Sequence, residues 1–266
     1  MSRELLSHFS LTSMPFDKEI ATRDLLDLRS TKEALSTLRL LVETRGIGLL
    51  TGKSGTGKSC LIRKLLEELN SHLYRPIYLC HTSVGVAEFY GHLCVGLGLT
   101  PVGRKATMFR AIKDRILSLH SQSKIHPVLV IDEAHLLSNE VLSDLRLLAN
   151  FEVDSTNALT ILLCGQESLA QKFSLTALES LANSITVAVR TETLEKEDAF
   201  AYLEERIKLS GGHGSLFTKN AMTLIHQASQ GVFRTLGTIA TGALHRAMKV
   251  NSPQVEAEHV QAVIKR

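Results

Sequence analysis

Residues 47–69 read IGLLTGKSGTGKSCLIRKLLEEL. A short apolar run, IGLLTG (47–52), leads into GKSGTGKS (52–59), a full match to G-x-x-x-x-G-K-[ST], and the helical run CLIRKLLEEL follows. Strand, glycine-rich loop and helix in that order make a phosphate cradle. The glycines let main-chain N–H groups curl around a β-phosphate, and the helix N-terminus adds partial positive charge. Gly52, Ser54, Gly55, Thr56, Gly57, Lys58, Ser59 and Cys60 are therefore the expected nucleotide-binding residues. Lys58 reaches the β- and γ-phosphates, for binding and for catalysis, and Ser59 ligates Mg²⁺; ATP and Mg²⁺ are the expected cofactors.

Further along, residues 127–135 read PVLVIDEAH, a buried strand ending in two carboxylates. A strand-end acid points at the metal held by the loop hydroxyl, so Asp132 is the expected Mg²⁺ partner. Glu133 is placed to orient and deprotonate a water, which argues for hydrolysis over phosphoryl transfer to a metabolite; its alternative role is to cap the following helix. His135 reads as a helix-start histidine near the site. The strand LTILLCG (159–165) ends in Gly165-Gln166-Glu167, and Gln166 is the candidate for contacting the γ-phosphate or the attacking water.

These strands belong to a set of four apolar bursts, at 47–52, 76–80, 127–133 and 159–165. Runs that are apolar throughout suit strands buried on both faces, hence a parallel sheet with helices on either side. A helix near 30–45 carries Leu35, Leu38 and Leu41/Val42 on one stripe. After Glu192 the pattern turns helical, with helices near 195–210, 218–229, 233–250 and 256–265. The expected architecture is an α/β P-loop fold. It comprises an N-terminal segment and helix packed on the core (1–45), a nucleotide-binding αβα core (46–191) and a small all-helical lid (192–266).

Composition agrees. With 266 residues, 44% hydrophobic and 21% charged, the chain can bury a substantial core, which excludes disorder as its main state. No stretch approaches 18 consecutive apolar residues and the first residues lack a signal-peptide core, so a cytoplasmic protein without a membrane partner is expected. Cys60, Cys80, Cys94 and Cys164 fit neither a zinc pair nor a disulfide framework and read as small buried hydrophobes. The net charge is only +3, yet it is unevenly placed. Residues 103–126 carry Arg104, Lys105, Arg110, Lys113, Arg115 and Lys124 against Asp114 alone, and residues 218–266 carry a second basic surplus. A clustered surplus can make a phosphate-binding face.

With these parts in place, the chain resembles the AAA+ ATPases, and within them the ExeA-like group and the transposon ATPases of the Mu B, TniB and TnsC kind. The likeness runs through FSLTSMPFDKEI (9–20), the P-loop segment, PVLVIDEAHLL (127–137), LRLLANFEVDS (145–155), LLCGQESL (162–169) and LFTKNAMTLIHQASQGVFR (216–234). It implies a nucleotide between core and lid, with Arg234 touching the γ-phosphate from the lid. It also implies rings or helical filaments on duplex DNA, with an arginine supplied in trans by a neighbouring copy. Ser184 and Ala188 stand where related chains have arginines. Arg190 is the nearby candidate and Arg146 a second; otherwise turnover is slow and the protein is an ATP-bound switch. The resemblance further points to Lys105, Thr107 and Arg110, with Arg104 beside them, as backbone contacts to double-stranded DNA from a helix starting near Thr107, next to a loop at 82–92.

The leading expectation is a DNA-binding ATPase that regulates transposition beside a DDE transposase. The alternatives are an ExeA-like secretion or envelope-assembly ATPase, and a helicase-loader or replication-initiator ATPase.

Overall fold

The computed structural model describes residues 2–17, 22, 28–80, 82–151 and 156–265. In chain order the elements are α1 (Ser2–His8), α2 (Arg29–Thr44), β1 (Ile47–Gly52), α3 (Lys58–Glu68), β2 (Tyr74–Leu79), α4 (Val86–Gly96), α5 (Lys105–Ser121), β3 (His126–Ile131), α6 (Asn139–Ala149) and β4 (Thr160–Gly165). They continue with α7 (Glu167–Lys172), α8 (Glu179–Ala182), β5 (Ile185–Thr191), α9 (Lys196–Leu209), α10 (Lys219–Ser229), α11 (Phe233–Lys249) and α12 (Ala257–Ile264). The chain forms two compact units. One takes the described parts of Lys32–Ser54 and Leu61–Thr191, the other those of Met1–Thr31, Gly55–Cys60 and Glu192–Arg266.

The first unit is built on a five-stranded parallel sheet in the order β2-β3-β4-β1-β5. Successive residues of its central strands go to opposite faces, as the pleat requires. Leu49, Leu129, Ile131, Ile161 and Leu163 join one core with α4, α5 and α6. Leu50, Val128, Val130, Leu162 and Cys164 join another with α2 and α3. Each central strand is buried at every residue because both faces are covered, which is the αβα sandwich expected from the apolar bursts. The expected stripe on α2 is also the observed one: Leu35, Leu38, Leu41 and Val42 are all buried. Each such leucine contributes on the order of 2 kcal/mol, enough together to fix which way the helix faces.

β5, ITVAVRT, is not among the apolar bursts. It lies at a sheet edge with alternating burial, so its polar side chains at 186, 190 and 191 break the all-apolar signature.

The second unit is helical. Leu203 and Ile207 of α9, Ile225 of α10, Leu236, Ala240 and Leu244 of α11 and Val260 of α12 make its core, as the pattern after Glu192 predicts. Residues from 2–17 contribute to this core. Leu5, Phe9 and Leu11 are buried among the C-terminal helices. The Thr12 N–H donates to the Ser210 carbonyl at 2.8 Å, and buried Arg206 donates through Nε to the Pro15 carbonyl at 2.6 Å. Among the described residues of 1–45, it is α2 that packs on the sheet. Lys18, Glu19 and Ile20 of the PFDKEI stretch, and residues 152–155 of LRLLANFEVDS, lie outside the described residues.

The cysteines are less uniform than expected. Cys94 and Cys164 are buried, but Cys60 is half-buried and Cys80 exposed, and all four are free thiols. Cys80 follows the last residue of β2, an edge strand with room for solvent.

Candidate active site

β1 ends at Gly52, the loop turns, and α3 starts at Lys58. Gly55 has φ +84°, where a β-carbon is strained, and a β-carbon there would also lie 2.9 Å from Cβ of Arg234 and 3.0 Å from Cγ1 of Val232. The Arg234 N–H donates to the Gly55 carbonyl at 3.3 Å. Loop and arginine are thus brought together in the helical unit. Gly231 prepares this approach: at φ +71°, with the Leu194 carbonyl oxygen only 2.2 Å from where its Cβ would be, it lets the chain turn sharply into α11. Phe233 then stacks edge-on against Tyr202 at 5.2 Å. Thr56 and Lys58 are buried. A buried lysine at the first residue of a helix that follows a glycine-rich loop is a residue suited to a phosphate group.

The acids stand in the α/β unit. Asp132 directly follows β3 and is 7% exposed. Its Oδ1 accepts the Glu133 N–H at 2.9 Å, and its Oδ2 accepts the Tyr78 hydroxyl at 2.7 Å. Burial and the bond to this carboxylate push the Tyr78 phenol well above its usual pKa. Glu133 takes the left-handed conformation, φ 51°, at the head of a short 3₁₀ turn (Ala134–Leu136). A non-glycine residue there costs about 1–2 kcal/mol, and neighbours hold it: Thr82 donates to the Glu133 carbonyl at 3.0 Å, and Asp132 holds its N–H. The half-exposed carboxylate comes within 3.3 Å of His135 Nδ1, which also lies 3.5 Å from the Gln166 N–H. Glu133, His135 and Gln166 therefore cluster, with Gln166 as the N-cap of α7.

The two arginine candidates differ in company. Arg190 pairs with Glu167 at 2.6 Å on an exposed surface. Arg146 donates through Nε to Ser184 Oγ at 3.2 Å. Arg146 and Arg45 both line a cavity of about 520 Å³ at the end of the sheet where β1, β4 and β5 begin, with Asn150, Asn157 and Asn183 beside them.

On the basic helix, α5 begins at Lys105, two residues before the expected start, with Arg104 as its N-cap. Lys105 pairs with Glu140 at 2.8 Å and Asp144 at 2.6 Å, which raises its pKa. Asp144 also accepts the Tyr90 hydroxyl at 2.8 Å. Lys113 turns inward, donating to the Leu147 and Asn150 carbonyls with its ammonium 4.6 Å from the Phe151 ring centre, and burial lowers its pKa. Arg104, Thr107 and Arg110 remain exposed.

Sequence reasoning missed Tyr78 and Thr82. Both act by reaching from the β2 end to the β3 end, a pairing that no linear spacing encodes. For a metal, the Asp132 carboxylate and the Ser59 hydroxyl are hard oxygen donors suited to Mg²⁺. Among the described residues no group of three or more His, Cys, Asp or Glu could hold a metal ion by itself.

A family model described as an AAA domain matches residues 38–173, and the chain belongs to that family. Its sequence is similar to General secretion pathway protein A of Aeromonas hydrophila, 31% identical over 251 residues. That match covers 93% of this chain and 45% of the relative, so the chain spans under half of the relative's length. The fold is shared with Aeropyrum pernix ORC2 in its ADPNP–ADP complexes (TM-score 0.70, 14% identity, 95% of this chain and 71% of that one). It is shared too with Aeropyrum pernix ORC1 in complex with DNA (TM-score 0.69, 17% identity, 92% and 66%). No helix among the described residues is long and apolar enough to cross a membrane.

Proposed function

We propose that this chain is an ATP-hydrolysing nucleotide switch that serves a secretion pathway, with residues 46–191 as its nucleotide-binding core and 192–266 as its lid. The observation that supports the nucleotide reading is the contact of Gly55 with Arg234, whose main-chain N–H donates to the Gly55 carbonyl; in this reading the arginine senses the phosphates held by that loop. Lys58 and the loop amides from Gly52 to Cys60 hold the β- and γ-phosphates. Ser59 and Asp132 hold Mg²⁺, which when bound neutralises phosphate charge. Glu133 takes the proton from the attacking water, and Gln166 orients that water. Family membership supports the ATPase reading, and the 31% identity to a secretion pathway protein supports the pathway.

This reading displaces transposition as the leading one. The sequence relative carries a secretion name and the fold relatives named above are ORC proteins, so the DDE transposase gives way as partner. A second reading, an initiator or loader acting on duplex DNA, has support from the shared fold of DNA-bound ORC1 and from exposed Arg104 and Arg110 on α5.

The reading requires that calorimetry detect ATP binding to the native chain and none to Lys58→Ala. Glu133→Gln keeps the binding and stops turnover; turnover at the native rate removes Glu133 as the base. For the pathway, secretion lost on deleting the gene returns with the native chain and not with Lys58→Ala. Secretion that persists without the gene refutes that part and directs attention to the duplex.

A further inference from the structure

Tyr78 sits on the edge strand β2, where its register partner is Val130 of β3. It leaves 47% of its surface exposed. A tyrosine recruited for packing alone would bury its ring. This one sends its hydroxyl two residues beyond its register partner, to Asp132 Oδ2 at 2.7 Å. The second carboxylate oxygen is held by the Glu133 N–H at 2.9 Å. With one donor on each oxygen, the carboxylate is fixed about both of its side-chain torsions, yet each oxygen keeps a lone pair for a further partner. Removing the phenol leaves a single tether at Oδ1, and the side chain can turn about it.

We infer that Tyr78 is a positioning residue for metal-dependent nucleotide binding: it holds the Asp132 carboxylate in one orientation, and the Mg²⁺ dependence of ATP binding draws on that orientation. The inference rests on the reading of Asp132 as the metal partner. Partners that orient a metal-binding carboxylate typically matter 10- to 100-fold in metal affinity. The hydroxyl carries the effect, because the ring lies half in solvent and contributes little packing.

The test is binding of a fluorescent ATP analogue to the full chain in a Glu133→Gln background, titrated with Mg²⁺ from an EDTA-treated start. Tyr78→Phe is expected to raise the half-saturating Mg²⁺ concentration about tenfold, while the metal-free affinity and the urea unfolding midpoint stay at the parent's values. Tyr78→Leu should shift the Mg²⁺ midpoint as far as Tyr78→Phe does. Asp132→Asn, run alongside, separates two kinds of failure. An unmoved midpoint in Tyr78→Phe with a shifted one in Asp132→Asn overturns the role of Tyr78 alone. No shift in either overturns the reading of Asp132 as well. Equal losses of metal-free and metal-bound affinity in Tyr78→Phe would make the residue merely structural, and that too overturns the inference.

Discussion

The main-chain N–H of Arg234 donates to the carbonyl of Gly55 across 3.3 Å, and the Cβ of the arginine lies 2.9 Å from where a β-carbon on that glycine would stand. Residues 179 positions apart in sequence are thus joined by a main-chain hydrogen bond.

Gly55→Ala should therefore damage both residues at once. The left-handed backbone resists a β-carbon by about 1–2 kcal/mol, and the 2.9 Å approach to Arg234 Cβ pushes α11 away from the loop. The expected result is a weaker heat of ATP binding at a thermal stability lowered by about that amount. An alanine variant with native affinity would mean that the approach of loop and arginine carries no nucleotide binding.

Arg146 and Arg190 make separable predictions for turnover. With Arg146 as the arginine that serves a neighbouring copy, Arg146→Ala loses on the order of 10³-fold in ATPase rate and keeps ATP binding. Arg190→Ala, which breaks only an exposed pair with Glu167, stays within about fivefold. Mixing Arg146→Ala with Lys58→Ala copies should restore activity, since one holds ATP and the other offers the guanidinium. Failure of the mixture to recover excludes action between copies.

For duplex DNA, Arg104 and Arg110 should matter more than Lys105. Lys105 already answers Glu140 and Asp144, whereas the two arginines are exposed. Replacing Arg104 and Arg110 by alanine lowers duplex affinity and flattens the slope of log affinity against log salt by about one for each phosphate that the variant no longer neutralises. Replacing Lys105 leaves the slope unchanged. The reverse ranking, read from binding at several salt concentrations, would show that the carboxylates release Lys105 to the DNA.

His126 predicts an acid-sensitive sheet. It is 2% exposed at the start of β3, with Nε2 on Thr160 Oγ1 at 2.9 Å and Nδ1 buried without a partner among the described residues. Burial, then the nearby Arg45 charge and His120, push its pKa down to about 4 from the usual 6.5. Below pH 6.5 the unfolded chain takes up a proton that the folded one refuses, so stability falls as pH drops from 6.5 towards 4, by up to about 3 kcal/mol. Urea unfolding of His126→Gln across that range should show a flatter acid limb; an equally steep one would assign the acid sensitivity elsewhere.

The layered core is legible in the order of residues alone. IGLLTG, PVLVIDEAH and LTILLCG announce fully buried parallel strands because a covered strand has no room for polar side chains, and GKSGTGKS announces its loop because only that glycine spacing frees the amides. Asp132, Glu133 and Gln166 were legible as strand-end polar residues for the same reason. The company each one keeps came from the folded chain. Tyr78 meets Asp132 from a neighbouring strand, Glu133 meets His135 through a left-handed backbone, Lys105 is claimed by acids on α6, and residues 2–17 join the C-terminal helices. Apolar periodicity reports how much of an element is buried, but hydrogen bonds and ion pairs depend on which elements end side by side, and that follows from the packing of the whole chain.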